Sequence, residues 1–231
     1  MGLLATSRLA RLLTGGGLFF LGWMFAAAIA AAPLMDFVPP AAGSYKLQRI
    51  QPATEGAVLD ADGKRRRLSE FTQGRVTLLA FMYSSCADPN GCPYALTVMH
   101  MIKNELEKLP ETRNRVRFVS LSFDPVRDTP QVLALYGGGH SGTAQHLAWD
   151  FLTTRSRREL LPILSGFGQD VGIDIDKTTG KPVGTYSHVL KVFLIDRQRM
   201  VREIYTTDYL LAPMVLNDIK TLLMDDGVRL K

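Results

Sequence analysis

The apolar positions along the chain change period several times, and each change marks an element. RVTLLAFMY (75–83) is a near-continuous apolar run rich in strand formers, the pattern of a strand buried on both faces. Residues 93–109 then carry Leu96, Met99, Ile102 and Leu106 at helical spacing. RVRFVSLSF (115–123) reads as a second buried strand, and 130–136 as a short helix. GGGHSG (137–142) breaks the pattern, HLAWDFL (146–152) is a further strand, and 155–169 is helical. HVLKVFLID (188–196) alternates like a strand, with His188 opening it after the loop TTGKPVGTYS (178–187). MVREIY (200–205) follows across a short turn, and 210–224 closes the chain as a helix. Near the start, 58–59 and 67–68 are short strands flanking an Asp62-Gly63 turn. No internal repeat is visible.

Strand, helix and strand, followed by a hairpin and a terminal helix, predict an α/β sandwich built on one mixed sheet flanked by helices. Thioredoxin-like architecture has this order. Its active site lies where the first long strand ends and the next helix begins, and both cysteines of the chain, Cys86 and Cys92, fall at that junction.

The first residues set the expected compartment. Arg8 and Arg11 precede an uncharged apolar run over 12–35, which at about 1.5 Å per helical residue can just cross a ~30 Å hydrocarbon core. Basic residues before it and Asp36 after it place the N-terminus in the cytoplasm and the rest outside. Ala28-Ile29-Ala30 resembles a signal-peptidase site, so 1–35 is an anchor or a cleavable signal segment. Without a long Arg- and Ser-rich leader, a bacterial inner membrane with the domain in the periplasm is favoured, a compartment where disulfides persist. Residues 36–56, rich in Pro, Ala and Gly, read as a tether, and 57–231 as the folded domain.

The net charge of +5 is modest and its basic residues are scattered, which argues against a nucleic-acid partner. The one dense run, Lys64-Arg65-Arg66-Arg67, follows the Asp62-Gly63 turn and reads as a solvated hairpin arm.

Five residues separate Cys86 from Cys92 in FMYSSCADPNGCPYAL (81–96). Cys92 precedes Pro93, a favoured first residue of a helix, so it sits at a helix N-terminus, where exposed N–H groups favour a thiolate. Asp88-Pro89-Asn90-Gly91 matches a type I turn, which folds the loop back and holds the sulfurs close. Relative to a three-residue gap, the longer loop costs only roughly 0.4 kcal/mol in closure entropy. A redox disulfide, a soft-metal site and a structural bridge all remain open. Two thiolates suit Cu(I) or Zn, and a third ligand must come from elsewhere. Of the four histidines, His100 lies roughly 12 Å along the helix from Cys92. His140 and His146 border the Gly-rich loop, and a lone His188 at a strand start is as easily structural.

Three stretches resemble the Sco/SenC family of copper-binding cytochrome oxidase assembly proteins. FMYSSCADPNGCPYAL resembles its strand-end cysteine motif. LSFDPVRDTPQVLALY (121–136) is very close to its S-x-D-P-x-x-D-T-P stretch, and YSHVLKVFLID (186–196) resembles its histidine strand. WDFLT (149–153) resembles the segment between the last two, so the likeness covers about 75–210. The resemblance implies a thioredoxin-like fold on one N-terminal transmembrane helix and a copper ion held by Cys86, Cys92 and His188. It also implies an acidic position near the metal at Asp124. Asp128, ahead of Thr129-Pro130, is expected to cap the next helix. The family's usual cysteine gap is three residues; here it is five, and Asp88 is an added candidate oxygen ligand.

The resemblance implies a metallochaperone that delivers copper to an oxidase subunit or another envelope protein. The competing expectation is an envelope thiol–disulfide oxidoreductase whose redox pair is Cys86 and Cys92. A permanent structural disulfide is the third.

Overall fold

The computed structural model describes residues 38–138 and 147–230. The expected anchor or signal segment over 1–35 lies outside the described residues, as do His140 and His146. No described helix is long and apolar enough to cross a membrane.

The strand expected at 75–83 is β4 (Val76–Met82), with every residue buried. It has this composition because it is central. β5 (Val116–Ser122) pairs parallel on one side, from Val76 against Val116 to Met82 against Ser122. β9 (Val192–Ile195) pairs antiparallel on the other. β6 (Ala148–Leu152) extends the parallel half, while β10 (Met200–Tyr205) and β1 (Gln51–Pro52) extend the antiparallel half. The order across this six-stranded mixed sheet is β1-β10-β9-β4-β5-β6. α2 (Cys92–Glu107) crosses from β4 to β5, and α3 (Pro130–Gly137) leads from β5 toward β6. α4 (Arg157–Phe167) and α5 (Ala212–Asp225) complete the helical layers. In the core, the Phe81, Phe167 and Phe193 rings meet edge to face, with centroids 5.0 to 5.8 Å apart.

Four features depart from the expected pattern. The arginine strand β3 (Arg65–Arg67) pairs with β2 (Ala57–Leu59), but Leu68 turns inward and opens a short helix, α1 (Leu68–Thr72). The hairpin arm is solvated as expected, and its arginines pair with Glu159, Asp60, Glu70 and Glu55.

The expected tether over 36–56 is packed wherever it is described. Asn217 Nδ2 donates to Pro40 O at 2.8 Å, Gly43 N donates to Thr221 Oγ1 at 2.9 Å, and the Tyr45 hydroxyl bonds Asp218. Leu47 is buried, and 51–52 form β1. A Pro/Gly-rich composition breaks regular structure but does not prevent packing onto a helix.

The supposed loop before His188 is half of a hairpin. β7 (Val171–Ile175) pairs with β8 (Pro182–His188) in a separate two-stranded sheet. His188 therefore closes β8 rather than opening a strand, and the expected strand over 188–196 is broken between His188 and Val192.

Asp128 does not cap α3. Thr129 does, its side chain accepting from Val132 N at 3.3 Å, and Asp128 is committed elsewhere.

Candidate functional site

The site forms at the C-terminal end of β4. After Tyr83 the chain leaves the sheet, and Cys86 N donates back to Tyr83 O at 3.2 Å. The expected turn is present: Gly91 N donates to Asp88 O at 3.0 Å, and Asn90 N to Asp88 Oδ1 at 3.0 Å. Asp88 is exposed and spends its carboxylate on this turn, which is its evident task. Cys92 then begins α2, with Pro93 behind it.

The turn brings the thiols together. Both are free, and they lie near enough for each sulfur to feel the other's charge. Their environments differ. Cys86 is partly exposed, whereas Cys92 is 4% exposed. The helix start was expected to favour a Cys92 thiolate. Burial outweighs it: desolvation, then the neighbouring Cys86 sulfur, push the Cys92 thiol up to about 12, against the lowering effect of main-chain donors at Tyr83 and Cys92. Partial helix charges cannot replace water around an anion enclosed by apolar side chains.

The loop is clamped from β5. Asp128, buried, accepts from Ser84 N at 3.0 Å, from the Ser84 hydroxyl, and from Ser122 Oγ at 2.5 Å. Its carboxylate thus ties the end of β5 to the start of the cysteine loop. Asp124, also buried, donates its main-chain N–H to Ser122 Oγ at 3.0 Å and pairs through its carboxylate with Arg127. Burial, and then the nearby Asp124 carboxylate, raises the Tyr186 pKa. Asp124 therefore reaches the site through Arg127 and Tyr186. Gly184 takes φ +84° in β8, and a Cβ there would stand 3.1 Å from Arg127 Nη1, so glycine lets the guanidinium approach the strand.

His188 approaches from the hairpin. Its ring lies 4.9 Å from Phe123 and 6.3 Å from Tyr83, edge to face with both. Nδ1 is 3.4 Å from Tyr186 O, and Nε2 is buried with no hydrogen-bond partner. The following residue is held by Gln169 Nε2, which donates to Val189 O at 3.0 Å.

The structure thus brings Cys86 and Cys92 close to one another and packs His188 against Tyr83, the residue that leads into the cysteine loop. Among the described residues no three His, Cys, Asp or Glu side chains are close enough to hold one metal ion. The donor set still suits a soft ion: two neighbouring thiols, and a buried imidazole nitrogen left unpaired on the half-buried His188. His100 is elsewhere, its ring 4.8 Å from that of Trp149.

Three contributors were not singled out by sequence. The sequence marks Tyr83 only as the end of a strand, and Arg127 and Tyr186 only as letters of the motifs. The D-P-x-x-D spacing was the available signal, because two carboxylates so close on one tight turn must find buried donors.

A family model described as SCO1/SenC matches residues 53–224. The chain belongs to the SCO1/SenC family. A candidate copper-binding protein of Stutzerimonas stutzeri is 37% identical over 68 residues, and that match spans 29% of this chain and 31% of the relative's length. Among solved structures, Arabidopsis thaliana ScoI with copper bound aligns with a TM-score of 0.61 at 18% identity, covering 75% of this chain and 98% of that one. Apo Sco1 of Thermus thermophilus aligns at 0.60 and 25% identity, covering 77% and 95%. The mixed sheet of this SCO1/SenC chain is the thioredoxin-like fold of those structures.

Proposed function

We propose that this SCO1/SenC protein binds a copper ion through Cys86, Cys92 and His188 and passes it to the copper site of a respiratory terminal oxidase subunit or another envelope protein. The observation that carries this reading is the unpaired, buried Nε2 of His188, whose ring packs edge to face on Tyr83, the residue that leads from β4 into the cysteine loop. A buried imidazole nitrogen without a partner costs free energy, and a metal ion would repay it. Copper bound to the Arabidopsis relative, and the description of the Stutzerimonas relative, support copper as the cargo. As copper binds, the two thiols release their protons to solvent and act as thiolate ligands.

In this reading residues 1–35 tether the domain to a bacterial inner membrane, with the copper site on the periplasmic side. In the thiol–disulfide alternative the partly exposed Cys86 would be the attacking sulfur and the buried Cys92 its partner.

The test is anaerobic Cu(I) titration of the reduced protein, comparing wild type with C86A, C92A and H188A. One-to-one binding lost in either cysteine variant and weakened in H188A is expected. Unchanged affinity in H188A removes the histidine from the site. No specific copper binding, combined with a reversible Cys86–Cys92 disulfide, overturns the reading in favour of thiol exchange.

A further inference from the structure

The cysteine loop leaves the C-terminal end of β4, and the opposite end of the same sheet carries a different chemistry. Arg75 precedes β4, Arg115 precedes β5, and Arg197 lies two residues beyond β9. These three strands are neighbours in the order β9-β4-β5. Main-chain bonds align their ends: Val76 N donates to Arg115 O at 2.8 Å, and Gly74 N to Arg197 O at 2.9 Å. Adjacent strands stand about 4.8 Å apart, so three positive residues are held side by side. All three line one cavity of about 410 Å³. Its other wall is made by Leu223, Asp226 and Val228, at and beyond the end of α5, and by Glu111 in the turn that follows α2.

The charges in this cavity are not matched in pairs. Asp226 Oδ1 accepts Arg197 Nε at 3.0 Å. The guanidinium groups of half-buried Arg75 and exposed Arg115 have no ion-pair partner among the described residues. Glu111 does not supply one, and its Oε2 is buried with no hydrogen-bond partner. Like charges this close repel, and a buried carboxylate oxygen without a donor costs free energy. The cavity therefore offers two open guanidinium forks and one open carboxylate oxygen. Guanidinium forks match the oxygens of a phosphate, which presents enough of them for two arginines at once, and a carboxylate matches an ammonium group. A volume of about 410 Å³ exceeds what a bare anion fills and lies in the range of small-molecule pockets. We propose that this cavity binds a phosphate ester carrying an ammonium group, with the phosphate on Arg75 and Arg115 and the ammonium on Glu111. The site lies at the far end of β4 from Cys86 and Cys92 and is independent of the copper reading. A free aminoalkyl phosphate and the headgroup of an aminophospholipid share this chemistry.

The test is calorimetric titration of the full chain in detergent with phosphoethanolamine, inorganic phosphate and ethanolamine, as wild type, R75Q, R115Q, R75Q/R115Q and E111Q. Wild type is expected to bind phosphoethanolamine one to one, more tightly than phosphate, and to ignore ethanolamine. Each single arginine variant should bind about tenfold more weakly, because it loses a charge-assisted fork, and the double variant should not bind. E111Q should bind phosphoethanolamine no better than phosphate. Arg115 is exposed, so R115Q decides if R75Q does not fold. Tighter binding of dihexanoyl phosphatidylethanolamine than of phosphoethanolamine assigns the site to a lipid headgroup, and the reverse order to a free phosphomonoester. Cu(I) binding should stay at the wild-type level in R75Q/R115Q, so either reading can fail without the other. No saturation below about 10 mM, or equal binding by wild type and the double variant, overturns the site. Unchanged selectivity for phosphoethanolamine in E111Q overturns the ammonium assignment.

Discussion

The two halves of the candidate site are held in opposite ways. The cysteine half belongs to the main body: Cys92 is buried at the start of α2, and Asp128 locks Ser84 to β5 through buried hydrogen bonds. The histidine half sits on the β7–β8 hairpin, outside the six-stranded sheet. Ile173, Ile175 and Val183 of that arm are exposed, and its contact with the body near the site is a set of aromatic edges and the Arg127 guanidinium. A rigid pair of soft ligands beside a lightly held third is an arrangement that lets an ion be gripped and then released. Local stability follows buried contacts, so the arm is the element with the smaller cost of opening.

Three measurements sharpen or break this contrast. The largest effect is expected from Asp128→Ala. Removing the acceptor of the Ser84 and Ser122 hydrogen bonds should lower the unfolding free energy by about 2–3 kcal/mol in denaturant titrations and loosen the cysteine loop. An unchanged midpoint would mean that the loop does not depend on its clamp and is no stiffer than the arm.

Thiol alkylation of the reduced, metal-free protein comes next. Cys86 should label at least about tenfold faster than Cys92 at neutral pH, because the buried thiol is both shielded and protonated. The same burial has a sign for stability. The Cys92 pKa rises on folding, from about 9 to about 12, so the folded state holds the proton more tightly. Its contribution is complete below about pH 9 and is lost as pH climbs toward 12. The C92A variant should lack this part of the alkaline loss. Equal labelling of the two cysteines would remove the asymmetry within the loop.

The smallest effect is expected on the arm. Ile175→Ser replaces an exposed side chain and should shift stability by no more than about 0.5 kcal/mol. A loss comparable to that of Asp128→Ala would mean that the arm packs as firmly as the body.

The body was legible because its signals are local and repeated. The apolar run at 75–83 and the helical spacing after Pro93 survive as β4 and α2, and the Asp88-Pro89-Asn90-Gly91 turn closes with its expected hydrogen bond. The arm was not legible. Its strands contain Gly172, Pro182 and Gly184 and bury no continuous face, so they lack the alternation that marks a strand packed on a core. The folded path of 38–56 was hidden for a related reason: its partners, Asn217, Asp218 and Thr221, lie more than a hundred residues away. Asp128 showed the limit of local rules. Both it and Thr129 are good helix caps, and burial beside two serines gave the carboxylate a different task.

By itself the sequence determined the α/β order, the central strand, the junction that carries both cysteines and the turn that brings their sulfurs together. Each of these depends on residues within one or two helical turns of one another, where periodicity and turn chemistry act directly. Only the tertiary structure decided that Cys92 is too buried to be an easy thiolate, that Asp128 clamps the loop, and that Tyr83 and Phe123 pack against the ring of His188. Those outcomes depend on which distant groups share one desolvated space, and desolvation belongs to the packed fold rather than to any stretch of chain.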